Sequence, residues 1–379
     1  MNIALSFSGC HRRGGVERIV YECAQFLAGR QHQVDVFCNE FEGPESSNLH
    51  FKPVEMTRHP WFWRGHSYYK NCSRAIVQSK YDVMNTHGCI CPTGGVQWVQ
   101  SVHAAWLERG RKIYPPLSLR AWKRRLNPLH PVLLKLEELH FRNRNYRKLI
   151  ATTPEVRSDL IRLYDVPEND VEIIPNGFSP TEFNPENAAL KRNSMRQLLG
   201  LNQDQLALLF VGNELERKGF RTILGAVKIL NDVNIKIVAV GRPSVESVMN
   251  MAAEFGLQDQ VLAKGLAVNV ADYHAACDLM VLPTQYEAFC LAILESLGSG
   301  LPVITSDVAG ARDAIVPGVN GQIVRDPNDA DELAEVIGQL RDKQKRKALA
   351  DASASSVSEY QWPKVLLRYE AVLMEHCRK

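Results

Sequence analysis

The sequence predicts an α/β protein built as two doubly wound domains, each a parallel sheet with crossover helices. Three observations carry this. The 379 residues are too many for one ordinary core and suit two domains of about 150–200 residues each. Short apolar runs alternate with segments of helical apolar spacing, the pattern of strand–helix–strand units. The strand–loop–helix–strand opening of the chain also begins afresh about 200 residues further on.

Ile3–Phe7 reads as a buried first strand, and a loop holding Gly14 and Gly15 follows. Val16, Ile19, Val20, Cys23, Phe26 and Leu27 then recur at helical spacing, and Val34–Phe37 is the second strand. Past the middle, Leu206–Val211 is a strand ended by Gly212. Thr222–Ile229 is a helix, and Ile235–Val240 is a strand ended by Gly241. Leu279–Leu282 and Pro302–Thr305 supply further strands, and Tyr81–Met84 is strand-like. The polar stretch Gly177–Arg196, with Pro180 and Pro185, reads as the linker. Val365, Leu366, Tyr369, Val372 and Leu373 make Gln361–Lys379 an amphipathic helix, and the Ser-rich residues 353–358 read as a hinge before it. The expected division is 1–178 with 360–379, and 179–359.

Composition bounds the class. Apolar residues make up 45% and charged residues 23%, the balance of a folded globular protein. The longest apolar runs have strand length, far short of the roughly 20 residues of a membrane-spanning helix. The first residues lack the leading charge and long apolar run of a signal peptide, so a cytoplasmic location is expected. Nine scattered cysteines with no C-x-x-C pair point away from a disulfide framework or a structural zinc site. Residues 1–180 carry 24 Lys/Arg against 17 Asp/Glu, and the rest carry 21 against 25. The cationic excess concentrates in Arg109–Lys148, which suits either a solvated helix face or contact with an anionic surface.

Open α/β sheets bind ligands at the carboxyl ends of their strands. Gly14 and Gly15 sit at such an end, where small residues let backbone N–H groups approach an anion; a plain tight turn is the commoner explanation of two such glycines. The dinucleotide fingerprint G-x-G-x-x-G is absent. After Leu206–Val211, Arg217 and Lys218 stand side by side and can together neutralise a diphosphate leaving group without a metal, although a lone Arg-Lys pair is usually just solvated. After Leu279–Leu282, Glu287 is placed just before or at a helix start, and Glu295 two turns later among Leu291, Leu294 and Leu297. A sugar nucleotide is long enough to use two such separated acceptors, while the helix start between them takes phosphate. Helix-dipole complementarity is the plainer reading of Glu287. His103 and His87 each follow a strand and can donate to a sugar hydroxyl, although a satisfied structural histidine is the commoner outcome for either alone. His59-Pro60-Trp61-Phe62-Trp63-Arg64 reads as an aromatic loop for lipid, sugar or packing. No assembled Ser/His/Asp site, H-E-x-x-H or G-x-x-x-x-G-K-[ST] motif is present.

Taken in order, these pieces resemble glycosyltransferase family 4, the retaining transferases of GT-B fold. The resemblance runs through most of the chain. It is carried by Gly14-Gly15-Val16-Glu17, His32-Gln33-Val34, His103, Ile174-Pro175-Asn176-Gly177 with Phe183, and Val211-Gly212 with Lys218-Gly219. Val240-Gly241, Ala275-Ala276-Cys277-Asp278-Leu279, Glu287-x7-Glu295, Gly300-Leu301-Pro302-Val303-Ile304 and Gly318-Val319-Asn320-Gly321 complete the series. Gly212–Gly219 and Tyr286-Glu287-Ala288 look closest to the lipopolysaccharide core glucosyltransferase branch.

The resemblance implies two Rossmann-like domains facing a cleft, with the last helix crossing back to the first domain. Arg217 and Lys218 would hold the donor diphosphate, Glu295 the ribose hydroxyls and Glu287 a hydroxyl of the transferred sugar. His103 would contact that sugar near its anomeric carbon, the backbone of Phe289-Cys290-Leu291 would follow the phosphates and sugar, and Gly15 would approach the leaving group. The implied partners are a nucleotide-sugar donor, such as UDP-glucose, and a saccharide or glycolipid acceptor. The basic charge of residues 109–148 leaves room for contact with an anionic inner membrane, and neither nucleic acid, metal nor cofactor is expected. The family often has Arg where Asn213 stands, Gly at Ala288 and Cys290, and Asp where Ala104 follows the histidine; these departures bear on the donor sugar. Another sugar-nucleotide reaction on the same fold, epimerisation or phosphorolysis, and a non-catalytic basic lipid- or nucleic-acid-binding protein are the alternatives.

Overall fold

Buried apolar runs fold the chain into two parallel sheets, one in each of two units. The computed structural model describes residues 1–113, 122–123 and 125–378. One unit is Met1–Asn176 with Trp362–Lys379, and the other is Gly177–Gln361. In the first, β1 (Asn2–Ser6), β3 (Gln33–Cys38), β5 (Leu49–Pro53), β6 (Val83–His87), β7 (Val96–Val99), β8 (Lys148–Ala151) and β9 (Val171–Ile173) form a parallel sheet. Their order is β5-β3-β1-β6-β7-β8-β9. Ile3, Ala4 and Leu5 of β1 are fully buried, as a central parallel strand covered on both faces requires. Helix α1 (Val16–Gly29) turns the expected stripe inward, burying Ile19, Val20, Cys23 and Leu27. The sequence had the first strand run directly into the glycine loop. Instead the chain first makes β2 (Gly9–Cys10), which pairs with β4 (Glu40–Phe41) outside the main sheet.

The terminal helix, Trp362–Glu375, belongs to the first unit, as the resemblance implied. Its Tyr369 stacks on Trp98 of β7 with centroids 5.0 Å apart. Its buried Glu370 accepts from His32 Nε2 at 2.7 Å and from Arg30 Nε at 3.2 Å. Burial pushes this carboxyl up, but the His32 and Arg30 bonds outweigh that and hold it below its ordinary value.

In the second unit β10 (Leu206–Val211), β11 (Ile235–Val240), β12 (Val261–Gly265), β13 (Leu279–Leu282), β14 (Val303–Ser306) and β15 (Gly321–Val324) are again all parallel. Their order is β12-β11-β10-β13-β14-β15. The order reverses between β10 and β13, and between β1 and β6 in the other sheet. Those reversals are where doubly wound sheets open a crevice for ligands.

Two expectations are corrected. Of the stretch read as a linker, Pro185–Leu199 is a helix: Asn184 caps it by accepting from the Asn187 N–H at 2.8 Å, Pro185 opens it, and Gly200 ends it at φ 69°. The residues read as a hinge begin inside helix Lys343–Ser356, where Ser353 Oγ donates to the Leu349 carbonyl at 2.7 Å. The chain passes between units at Asn176/Gly177 and Gln361/Trp362. Among the described residues no helix is long and apolar enough to cross a membrane.

Candidate functional site

The reversal point of the second sheet puts the loops after β10 and β13 side by side, and these loops hold the charged residues singled out from the sequence. Gly219 makes the close approach possible. It lies at φ 77°, and a Cβ there would sit 2.1 Å from the Pro283 carbonyl oxygen. The loops are stitched by Gln285 N–H donating to the Arg217 carbonyl at 2.8 Å.

Arg217 Nη1 donates to the Tyr286 carbonyl at 2.5 Å and to Glu287 Oε2 at 3.0 Å, and Nη2 donates to Glu214 Oε1 at 3.0 Å. Lys218 Nζ reaches the same Glu287 oxygen at 3.0 Å and stands 3.9 Å from Cys290 Sγ. Burial pushes the Glu287 carboxyl up; Lys218 and Arg217 overcome it and hold it below the usual carboxylate range. Burial depresses both cations, yet their neighbours raise them overall: Glu287 and Glu214 act on Arg217, and Cys290 and Glu287 on Lys218. All three groups therefore stay ionised at neutral pH. Arg217 Nε–H is buried and meets no acceptor among the described residues, a donor with capacity for one further oxygen.

Behind this cluster, helix Leu291–Gly298 starts with no side chain capping its first turn. The helix opens at Leu291, so Glu287 lies four residues before it, in extended backbone bridged to Ala309. That approach requires Gly310, where a Cβ would lie 1.9 Å from the Ala288 carbonyl oxygen. Glu295 is buried, with 7% of its surface exposed, and the thiol of Cys290 senses both glutamates. Burial raises that thiol first of all, Lys218 lowers it, and Glu287 and Glu295 raise it again. Phe289 is half-buried against the core, and Asn213 is exposed, with its Oδ1 3.3 Å from the Arg242 N–H. Cations, an uncapped helix start and carboxylates on either side of Cys290 thus gather at the carboxyl ends of β10 and β13. Chemically it can neutralise a phosphate anion and accept from hydroxyls.

The first unit places its candidates separately. Gly14, at φ 101°, and Gly15, the residue that opens α1, precede that helix; a Cβ at Gly15 would meet nothing within 4 Å. His103 is the first residue of helix His103–Ile113, beyond β7. Its ring stacks on Trp106 with centroids 5.5 Å apart, and its Nε2 is 3.1 Å from His130 Nδ1. Glu137, which the sequence reading passed over, holds this helix start. It accepts from the backbone N–H groups of His103 at 2.5 Å and Ala104 at 3.1 Å, and from the Tyr164 hydroxyl at 2.6 Å. Burial raises its carboxyl above the usual range despite those three bonds. Thirty-four residues separate Glu137 from His103, so no local pattern announces the pair.

His87 ends β6 instead of following it, and it is fully buried against Trp98. It is therefore a core residue, not a ligand contact. The aromatic segment forms a short turn of 3-10 helix, Trp61–Trp63, leading into helix Arg64–Ala75, with Trp61 52% exposed. Residues 114–121 and 124 of the basic segment 109–148 lie outside the described residues. Of the rest, Arg109 is held by Asp159 at 2.6 and 3.1 Å, Arg142 by Asp165 and the Leu163 carbonyl, and Arg147 by the His376 carbonyl. These three cations have partners within the first unit.

Residues 13–182 match the model of Glycosyltransferase Family 4, and residues 191–355 that of Glycosyl transferases group 1, so the two matches cover most of the chain. The chain is 29% identical over 222 residues to the lipopolysaccharide 1,2-N-acetylglucosaminetransferase of Salmonella typhimurium. That match takes in 54% of this chain and 56% of the relative, so the chain spans about half the length of that relative. Among solved structures it is similar to WaaG, a glycosyltransferase involved in lipopolysaccharide biosynthesis, with a TM-score of 0.83, 21% identity and coverage of 98% and 99% of the two chains. It is also similar to Anabaena Alr3699/HepE, solved in complex with UDP-glucose, at a TM-score of 0.74, 17% identity and coverage of 99% and 100%.

Proposed function

The chain belongs to the glycosyltransferases, family 4 in its first half and group 1 in its second, and from that premise we propose that it transfers a hexose from a uridine diphosphate sugar, with UDP-glucose the leading donor, to a saccharide or glycolipid acceptor with retention of anomeric configuration. The observation that carries the donor reading is the convergence of Arg217 and Lys218 at the β10–β13 reversal, beside an uncapped helix start. The HepE complex with UDP-glucose supports the choice of donor. The lipopolysaccharide transferases to which the chain is similar support a cell-surface glycan as acceptor.

In this reading the two cations and the start of helix Leu291–Gly298 take the diphosphate. Charge developing on the leaving group is then met by preorganised donors, with no metal called on. Glu287 accepts from a hydroxyl of the transferred sugar, and Glu295 from the ribose. His103, fixed by its stacking on Trp106 and by Glu137 at its backbone, is assigned to the sugar near the anomeric carbon. Retention follows if the acceptor attacks on the face from which the diphosphate leaves, that diphosphate helping to remove the hydroxyl proton. No protein nucleophile is then needed, and the chain's work is positioning and charge stabilisation.

A panel of nucleoside diphosphate sugars tests the reading by thermal shift, because a ligand specific to the folded state raises the melting temperature by mass action. UDP-glucose is expected to stabilise the wild type, and Glu295→Ala is expected to lose most of that shift. A panel without any stabilising sugar nucleotide, or an E295A shift equal to that of the wild type, would refute the assignment.

A further inference from the structure

Resting on the donor reading above, we propose that Glu287 makes the enzyme discriminate between a sugar nucleotide and the free nucleoside diphosphate, because its carboxylate competes with the terminal phosphate for Arg217 and Lys218 and yields only to a ligand whose sugar hydroxyls can take it up. One oxygen, Glu287 Oε2, stands 3.0 Å from both Arg217 Nη1 and Lys218 Nζ. All three side chains are largely buried, with 12%, 11% and 17% exposed for Arg217, Lys218 and Glu287. A second carboxylate, Glu214, occupies Arg217 Nη2 from its more exposed side. Two cations are thus balanced by two carboxylates before any phosphate is counted.

A diphosphate drawn to these cations meets the Glu287 charge at hydrogen-bonding range, and in a buried setting like charges this close repel strongly. The two ligands differ in what they offer in return. The sugar of a sugar nucleotide brings hydroxyls that donate to the displaced carboxylate and satisfy it. The free diphosphate brings no such donor and carries additional negative charge on its terminal phosphate, so the same carboxylate opposes it. Affinity is thereby withheld from the product side and kept for the substrate, which is specificity by repulsion of the wrong ligand. The buried Nε–H of Arg217, which has no acceptor among the described residues, gives the phosphate a contact that survives in either ligand.

Calorimetric titration of UDP and of UDP-glucose into the wild type, Glu287→Gln and Glu214→Gln tests this. E287Q keeps the shape of the side chain and removes its charge. It is expected to bind UDP about tenfold more tightly while binding UDP-glucose no more tightly, so that the ratio of the two dissociation constants moves at least tenfold towards UDP. E214Q removes a charge from the same arginine on its exposed side. It is expected to tighten both ligands by a similar factor, about twofold, and to leave the ratio unchanged. The wild type supplies an independent readout: millimolar free glucose should tighten its binding of UDP by engaging Glu287, and E287Q should lose that effect. Equal tightening of both ligands in E287Q, or unchanged UDP binding together with no effect of glucose on the wild type, would overturn the inference. A wild type that binds neither UDP nor UDP-glucose would instead sink the donor reading itself.

Discussion

Replacing Lys218 by Ala is expected to lower transfer from UDP-glucose at limiting donor by about 10²–10³-fold, the cost of losing one preorganised charge donor to a leaving group. Arg217→Ala is expected to cost at least as much. The arginine also ties the β10 loop to the Tyr286 carbonyl, so its loss frees the segment that presents Glu287. The two effects should not add. Both cations share one oxygen of Glu287, and residues within one charge network couple. The double variant is therefore expected to lie close to the worse single one. Initial rates measured across donor concentrations check this. A K218A enzyme with unchanged turnover at low donor would remove the lysine from the phosphate site. A loss confined to KM would make it a contributor to uniform binding, not to the transition state.

The second large effect concerns acid. His87 is fully buried, and burial pushes its ring from 6.5 down to about 3. His140, between Gln97 and the Cys91 carbonyl at 2.9 Å each, is pushed down by burial to about 4. Both folded values lie below the unfolded one, so the fold favours the neutral rings. The stability they contribute is complete above the unfolded pKa near 6.5 and is lost as the pH falls from there towards 4 and 3. Each group costs about 1.4 kcal/mol per pH unit across that window, so lowering the pH from 7 to 5 should remove about 4 kcal/mol from the first unit. All six tryptophans lie in that unit, at positions 61, 63, 98, 106, 122 and 362, so tryptophan fluorescence during urea unfolding reports on it alone. His87→Phe keeps a ring against Trp98 and removes the titrating group, and it is expected to abolish about half of the acid loss. An acid loss equal in H87F and the wild type would show that His87 does not drive it.

The architecture and the charged loops of the second unit could be read from the sequence, and physical reasons separate what was legible from what was not. Leu206–Val211 and Leu279–Leu282 are unbroken apolar runs, the mark of strands buried on both faces, and turn residues bound them, so the loops that follow fall at the strand ends. The helix Pro185–Leu199 escaped because it lacks a clear apolar stripe: Leu190 and Leu198 point outward, and the buried positions include the charged Arg196, which is paired with Asp278. Ser353 and its neighbours looked like a flexible joint by composition, yet a serine that bonds back to the preceding turn can sit inside a helix.

Site residues divide along the same line. Arg217, Lys218 and Glu287 lie on two loops whose parent strands are neighbours in the sheet, so strand assignment alone brings them close. What the sequence did not show is that Glu287 Oε2 is shared by both cations, a matter of side-chain geometry. Glu137 was missed for another reason. Its partners, His103, Ala104 and Tyr164, come from two other helices, and a buried glutamate reads in sequence like any solvated one. Its only signal was position, in a helix whose Leu136 is buried beside it.

A crystal structure of the protein with UDP-glucose shows whether the strand ends of β10 and β13 grip the donor through its diphosphate. Phosphate oxygens are expected within hydrogen-bonding distance of Lys218 Nζ and of the Arg217 guanidinium, with the Glu287 carboxylate on a sugar hydroxyl. A diphosphate bound elsewhere, with both Glu287 ion pairs intact, would contradict this placement.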